Sequence, residues 1–345
     1  MTKVYVGMSG GVDSSLTAAL LKEQGYEVTG VYMKNWTQDL PGMRCSWADD
    51  LADAKRVAVQ LGIDFKVFDF ENEYKHKVVD YMIDEYKRGH TPNPDIMCNQ
   101  EVKFKLFLET ALEDGADMIA TGHYARVENG VLKQAVDTNK DQTYFLYRVT
   151  KEALSKTLFP LGEFTKPIVR QMAKERGLYT AAKKDSQGIC FVGQIGIREF
   201  LSQYVEQTAG PIIDKQTNKV LGQHDGAIFY TIGQRHGLDV GGGLPYYVVG
   251  KDMEKNEVYV TTDLNDDTLW KPEIAITSVH WIDQAPVGKD VTIRVRHRAG
   301  LVKAAIRYEG DDLVLSPEQP ERAIAPGQSI VIYDGDTCLG GGIVS

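Results

Sequence analysis

Short runs of apolar and β-branched residues at 3–8, 27–33, 64–70 and 118–121 predict strands. Between them, stretches at 14–24, 48–61, 72–88 and 101–114 repeat apolar positions at helical spacing. Gly62 marks the stop of the second, and Asn72 or a neighbour the cap of the third. This alternation predicts a parallel, doubly wound α/β sheet. Ligands of such sheets bind beyond the carboxyl ends of the strands, where Gly7–Ser15, Met33 and Gly122 all fall. At 124–136 the pattern shifts to period two around Glu128-Asn129-Gly130, the signature of a hairpin on an Asn-Gly turn. A helix over 165–176, stopped by Gly177, follows. From about residue 193 the helical signal fades. Residues 210–265 are rich in glycine and short strands. Residues 270–345 read as short strands, among them 291–298, 302–308 and 329–333, separated by Gly, Pro and Asp; a small closed barrel accounts for them. The expected division is an α/β domain over 1–193, a small, mainly β central domain over 194–268 and a C-terminal β-barrel over 269–345.

At 345 residues, two or three domains are expected. No apolar run approaches the ~20 residues that span a bilayer, and the N-terminus enters a strand at once, so neither a membrane segment nor a signal peptide is expected. Four cysteines do not suggest a disulfide-stapled secreted protein. A cytoplasmic, monomeric protein without a membrane partner is the expectation. A net charge of −9 argues against nonspecific coating of nucleic acid, but not against a local basic face. Residues 291–308 carry Arg294, Arg296, Arg298, Lys303 and Arg307 with no acidic residue. They read equally as a nucleic-acid face or as the wet side of a strand.

Residues 7–15 read Gly7-Met8-Ser9-Gly10-Gly11-Val12-Asp13-Ser14-Ser15, between a strand and a helix. Backbone N–H groups of such a turn close around an anion, and the helix N-terminus adds a positive dipole. The usual mononucleotide loop places a Lys before its Ser or Thr; here Asp13 stands there. The pattern resembles the pyrophosphate loop of ATP pyrophosphatases, which implies cleavage of ATP between its α and β phosphates and an adenylated substrate. A tight turn without a ligand is the plainer alternative.

The cysteines lack metal-ligand spacing. Cys98 follows the proline-rich stretch His90–Met97, with Asn99 as the expected N-cap of the helix from Glu101. A thiol at a helix N-terminus has its thiolate stabilised. Cys190 follows Lys183 and Lys184, which act in the same sense. Burial as a small apolar residue is the alternative for both, and the favoured reading for Cys45 and Cys338.

Five motifs stand in order along the chain. They are the loop at Gly7–Ser15, then Thr91-Pro92-Asn93-Pro94-Asp95-Ile96-Met97-Cys98-Asn99, Ala120-Thr121-Gly122-His123-Tyr124-Ala125, Asp185-Ser186-Gln187-Gly188-Ile189-Cys190-Phe191 and Tyr230-Thr231-Ile232-Gly233-Gln234-Arg235. Together they resemble the tRNA-specific 2-thiouridylase family. The resemblance implies replacement of the 2-oxygen of the wobble uridine by sulfur: ATP with Mg²⁺ adenylates the oxygen, pyrophosphate leaves, and a persulfide received from a donor protein supplies the sulfur. It assigns Cys98 as nucleophile and Cys190 as persulfide carrier, the two forming a transient disulfide. It places Gly7, Met8, Ser9, Gly10, Gly11, Val12, Asp13, Ser14, Met33 and Gly122 on ATP, with Asp13 orienting Mg²⁺ or a loop hydroxyl. It places Asn93, Pro94 and Asp95 on the flipped target base, and His123, Lys140, Asp141, Gln142, Arg307, Tyr308 and Gln328 on tRNA. Some family members carry an acidic residue where this chain has Gly188. The rival readings are an amidotransferase-type synthetase acting on a small molecule, and a non-catalytic RNA-binding protein with ATP as a structural ligand.

Overall fold

The computed structural model describes all residues except 40–44, 185–195, 242, 287–289 and 311. Among the described residues, the N-terminal sheet has five parallel strands in the order Asp64–Asp69, Glu27–Lys34, Lys3–Gly7, Met118–Ala120, Thr157–Leu158. The first strand is covered on both faces. Tyr5 packs with Val31, Tyr74, Met82 and Phe107 on one side. Val4 and Val6 pack with Ala18, Leu21, Ala54 and Val57 on the other. All three are fully buried, as a central parallel strand requires. Strand order reverses direction at Lys3–Gly7, whose neighbours are the second and fourth strands. The carboxyl ends of Lys3–Gly7 and Met118–Ala120 therefore flank the crevice where such sheets bind ligands.

The helices at Val12–Glu23 and Trp47–Leu61 fall where the periodicity places them, and Gly62 ends the second in the left-handed conformation, φ 59°. The segments Glu71–Tyr74, Lys75–Asp80 and Tyr81–Lys87 run on as one helix whose middle stretch is wound in the wider π form. A second such helix, Pro94–Met97, Cys98–Leu106 and Phe107–Glu113, begins seven residues before the expected 101. Pro94 occupies its first turn and the Asn93 side chain caps it, accepting from Asp95 N at 3.1 Å. The Asn-Gly hairpin forms between Ala125–Glu128 and Val131–Gln134, with Asn129 and Gly130 at φ 53° and 77°.

Strands Gly210–Asp214, Val220–His224, Tyr247–Asp252 and Glu257–Thr261 form the central sheet. The C-terminal strands close into a six-stranded barrel. Its order is Ile274–Trp281, Asp312–Pro317, Val302–Glu309, Val291–Arg294, Ser329–Asp334 and Thr337–Val344, and the last pairs back to the first at Ile276↔Val344. Ile276, Ile293, Leu313, Leu315, Ile330 and Ile332 fill it. The hairpin of the first domain extends this sheet through Thr337↔Lys133. Tyr144 and Tyr147 anchor the barrel from below, their hydroxyls bonding Ser329 O (2.7 Å) and Ser329 Oγ (3.1 Å).

Candidate active site

The loop at Gly7–Ser15 turns at Gly10, where φ is 71° and a Cβ would lie 2.4 Å from Asp50 O. Only glycine meets both demands. Inside the turn, Ser9 N donates to Ser14 Oγ at 3.1 Å, the hydroxyls of Ser9 and Ser14 lie 3.3 Å apart, and Ser15 Oγ donates to Gly11 O at 2.7 Å. Gly122 closes the opposite wall. A Cβ there would stand 2.8 Å from Ser14 N and 2.9 Å from Asp13 C. A Cβ on Gly7 would meet Met33 Cε at 2.9 Å and Phe107 Cε1 at 3.6 Å. The expected nucleotide residues Gly7–Ser14, Met33 and Gly122 thus form one cradle at the switch point. Glycines at 7, 10, 11 and 122 line it and the helix Val12–Glu23 begins there, which fits an anionic group.

Asp13 is held by groups from outside the loop. Its carboxylate contacts no loop hydroxyl in the described bonds. Lys166 Nζ lies 2.7 Å from each of its oxygens, and Tyr124 OH donates to Oδ1 at 2.9 Å. Lys166 opens the helix Lys166–Glu175, and its side chain is only one-tenth exposed. The carboxylate is therefore already paired with a cation, and among the described residues no group of three or more His, Cys, Asp or Glu forms a metal site. Tyr124 belongs to a sequence motif, whereas no local signal in the sequence marks Lys166.

Cys98 is buried, and it lies in the second turn of the Pro94–Glu113 helix rather than before its N-terminus. Helix-dipole support fades beyond the first turn, so the thiolate argument built on an Asn99 cap does not apply. Asn99 sits inside the helix, its amide donating to Phe145 O at 3.0 Å. The helix leads into a strand parallel to its neighbours, so it runs antiparallel to the sheet and starts at the carboxyl edge, on the side of the loop. Cys190 and Gly188 lie outside the described residues. Cys45 is half-buried and Cys338 buried; burial pushes both thiols up, away from the reactive thiolate.

Thr91, two residues before the segment expected to receive the base, is held by both other domains. Thr91 N donates to Pro326 O of the barrel at 2.7 Å, and the Thr91 hydroxyl meets that of Thr231 of the central domain at 3.1 Å. His90 pairs with Glu85 at 2.7 Å. Burial pushes the Asp95 carboxyl above the usual carboxylate range, with Lys103 offsetting part of the shift. Gln328 adjoins this segment: a Cβ on its neighbour Gly327 would touch Thr91 N at 2.9 Å.

The other expected tRNA contacts are placed less simply. His123 is buried against Phe104 and Phe159 and bonds Thr121 at 2.7 Å; burial, then Lys103, hold it well below the usual His range. Asp141 is 2% exposed and forms a buried ion pair with Arg294 at 2.8 Å. Its carboxylate does not face solvent. Gln142 Oε1 accepts from Tyr124 N at 2.9 Å, while Lys140 is half-buried. Arg307 is exposed but held by Glu273, in two bonds of 2.8 Å, and by Glu309. Tyr308, also exposed, accepts from Trp281 Nε1 at 3.1 Å. The acid-free basic stretch in the sequence is thus largely neutralised by acids from elsewhere. Arg296 and Arg298, in the turn after Val291–Arg294, remain exposed and make no ion pair among the described residues. Between them His297 packs on Phe145, with ring centroids 4.5 Å apart and planes tilted by 44°. Since Phe145 O holds Asn99, this turn stands over the Cys98 helix.

Family models match the chain in three consecutive pieces: a tRNA methyl transferase HUP domain over 2–194, a tRNA methyl transferase PRC-barrel domain over 198–262 and an aminomethyltransferase beta-barrel domain over 271–344. A tRNA-specific 2-thiouridylase MnmA of Bacillus thuringiensis (strain Al Hakam) is 48% identical over 351 residues, covering 99% of this chain and 94% of the relative. That of Bacillus licheniformis is 48% identical over 353 residues, covering 99% and 95%. Among solved structures, a 4-thiouridine synthetase–RNA complex with bound ATP aligns at TM-score 0.39 and 19% identity, over 59% of this chain and 50% of that one. No assignment rests on so distant a likeness.

Proposed function

This chain belongs to the tRNA-specific 2-thiouridylase family of tRNA sulfurtransferases, and we propose that it thiolates the wobble uridine at carbon 2 through an adenylated intermediate. The observation that carries the reading is the full-length match to thiouridylases, joined to a glycine cradle and a buried cysteine at one edge of the sheet. The family-model descriptions speak of methyl transfer; that chemistry would leave the anion-binding loop without a task.

In the proposed reaction ATP, carrying Mg²⁺ on its phosphates, binds the loop with its adenosine near Met33 and Gly122. Asn93, Pro94 and Asp95 hold the flipped base, since a base must leave its stack before chemistry on it. Oxygen 2 of uridine bonds to the α phosphorus, the bond to the bridging oxygen breaks, and pyrophosphate leaves with its electron pair. The N3 proton is lost in that step, and Asp95, whose proton affinity burial has raised, is suited to take it. A persulfide on Cys190 then attacks carbon 2 and AMP departs. Cys98 resolves the resulting Cys190–S–S–carbon linkage by forming a Cys98–Cys190 disulfide, and N3 regains its proton from Asp95, leaving the thiocarbonyl; alternatively Cys98 frees hydrosulfide first. A thiol reductant resets the pair. Lys140, Gln142, Arg307, Tyr308 and Gln328 stay proposed tRNA contacts, and a persulfide-bearing donor protein is the proposed partner.

The test is pyrophosphate release with ATP and unmodified tRNA, followed by mass spectrometry of the tRNA with a persulfide donor. Release of pyrophosphate and a gain of 2-thiouridine, lost in Cys98→Ser and Cys190→Ser, is expected. Thiolation without pyrophosphate release would overturn the adenylation step.

A further inference from the structure

The loop carries an acid where a mononucleotide loop carries its lysine, and no Lys or Arg occurs from residue 7 to 21. Binding a polyanion beside an unshielded Asp13 would set like charges against each other. The structure answers this from a distance: Lys166, brought in by the start of the helix Lys166–Glu175, places its ammonium 2.7 Å from both Asp13 oxygens. That helix packs on Val12–Glu23 through Val169 and Ala173 against Leu16 and Leu20. Its first turn is fixed by Lys166 N donating to Asp137 at 2.8 Å. The ammonium lies over the Tyr124 ring, with Nζ 5.7 Å from its centroid. The ammonium is thus built in, nine-tenths buried, at the helix turn whose Ser14 N and Asp13 backbone are walled by Gly122.

We propose that Lys166 is the displaced lysine of this loop. It shields Asp13 and contacts the β and γ phosphates of ATP, steadying the negative charge on departing pyrophosphate. The inference rests on the adenylation reading above. It needs no lysine within the loop motif, which is why the motif alone conceals it. Asp13 and Tyr124 act as positioning residues that aim the ammonium.

Calorimetric binding of ATP, pyrophosphate and AMP to the full chain tests this, in wild type, Lys166→Met, Lys166→Arg and Asp13→Asn/Lys166→Met. Lys166→Met is expected to weaken ATP and pyrophosphate at least tenfold and AMP less than twofold. Lys166→Arg should recover part of the loss. The double variant should not recover it, because the phosphate contact stays missing. Recovery of ATP affinity in the double variant would show that Lys166 merely neutralises Asp13 and would overturn the proposal. So would ATP and pyrophosphate binding like wild type in Lys166→Met, or an equal loss of AMP. A wild type that binds ATP in this Lys166-dependent way but releases no pyrophosphate with tRNA would instead refute adenylation and leave the contact standing.

Discussion

The Asp141–Arg294 pair offers the sharpest quantitative test of how the barrel is held on the first domain. Asp141 Oδ2 accepts from Arg294 at 2.8 Å and from the Thr143 hydroxyl at 2.8 Å, and Oδ1 accepts from Ala135 N at 3.0 Å. The two side chains are 1% and 9% exposed, so solvent screening is small. Arg294 also lies over the Tyr333 ring at 5.3 Å, and its Nε is buried without a partner. Removing one member of such a pair strands the other charge and costs about 3–5 kcal/mol. Arg294→Met leaves Asp141 its neutral donors, so a loss near the lower end, ~3 kcal/mol, is expected. Asp141→Asn strands a guanidinium and should cost about as much. The double variant strands nothing, so its cost should fall short of the sum by ~2–3 kcal/mol, the upper range of coupling between contacting residues. Urea unfolding, followed by both circular dichroism and tryptophan fluorescence, measures all three. Single losses below ~1 kcal/mol that add in the double variant would place this pair with ordinary surface pairs and refute the reasoning.

Asp95→Asn should stabilise the fold at neutral pH. The folded carboxyl is raised by burial, so the native state binds its proton more tightly than the unfolded chain and loses stability as pH climbs past the unfolded value near 4. The gain in thermal midpoint should appear above about pH 4 and vanish below it; an equal gain at every pH would mean packing, not charge, is responsible. Gly122→Ala drives a Cβ onto the backbone of Ser14 and Asp13 and should weaken ATP at least tenfold by calorimetry, whereas affinity within twofold would show that the cradle yields. Arg298→Ala should lower the slope of log tRNA affinity against log salt by about one unit or slightly less. Arg307→Ala, whose guanidinium is held by Glu273 and Glu309, should lower it less, and a reversal of that order would show that tRNA displaces the acids.

Features written in adjacent residues were legible. The Asn129-Gly130 turn, the Gly62 stop and the loop at Gly7–Ser15 each depend on local backbone preferences, and each forms where the sequence places it. The Pro94 helix start was not, because a proline between Asn93 and Asp95 reads as loop punctuation until its cap geometry is seen. Charge pairing was the least legible. Lys166 and Asp13 are 153 positions apart, as are Arg294 and Asp141, and Arg307 and Glu273 are 34 apart. The same blindness made residues 291–308 look more basic than the folded surface is.

The clamp on Thr91 has a consequence for synthesis. The segment Thr91–Cys98 leaves the ribosome early, but Pro326 and Thr231, which hold Thr91, arrive later, the first of them near the end of the chain. At about 5–20 residues per second, the nascent first domain spends many seconds with Thr91 lacking both of these partners. A chain stalled before the barrel closes would have the turn at Gly7–Ser15 already made, yet Thr91 without its bond to Pro326. Thr91 thus gains its bond to Pro326 only once this part of the barrel has been made.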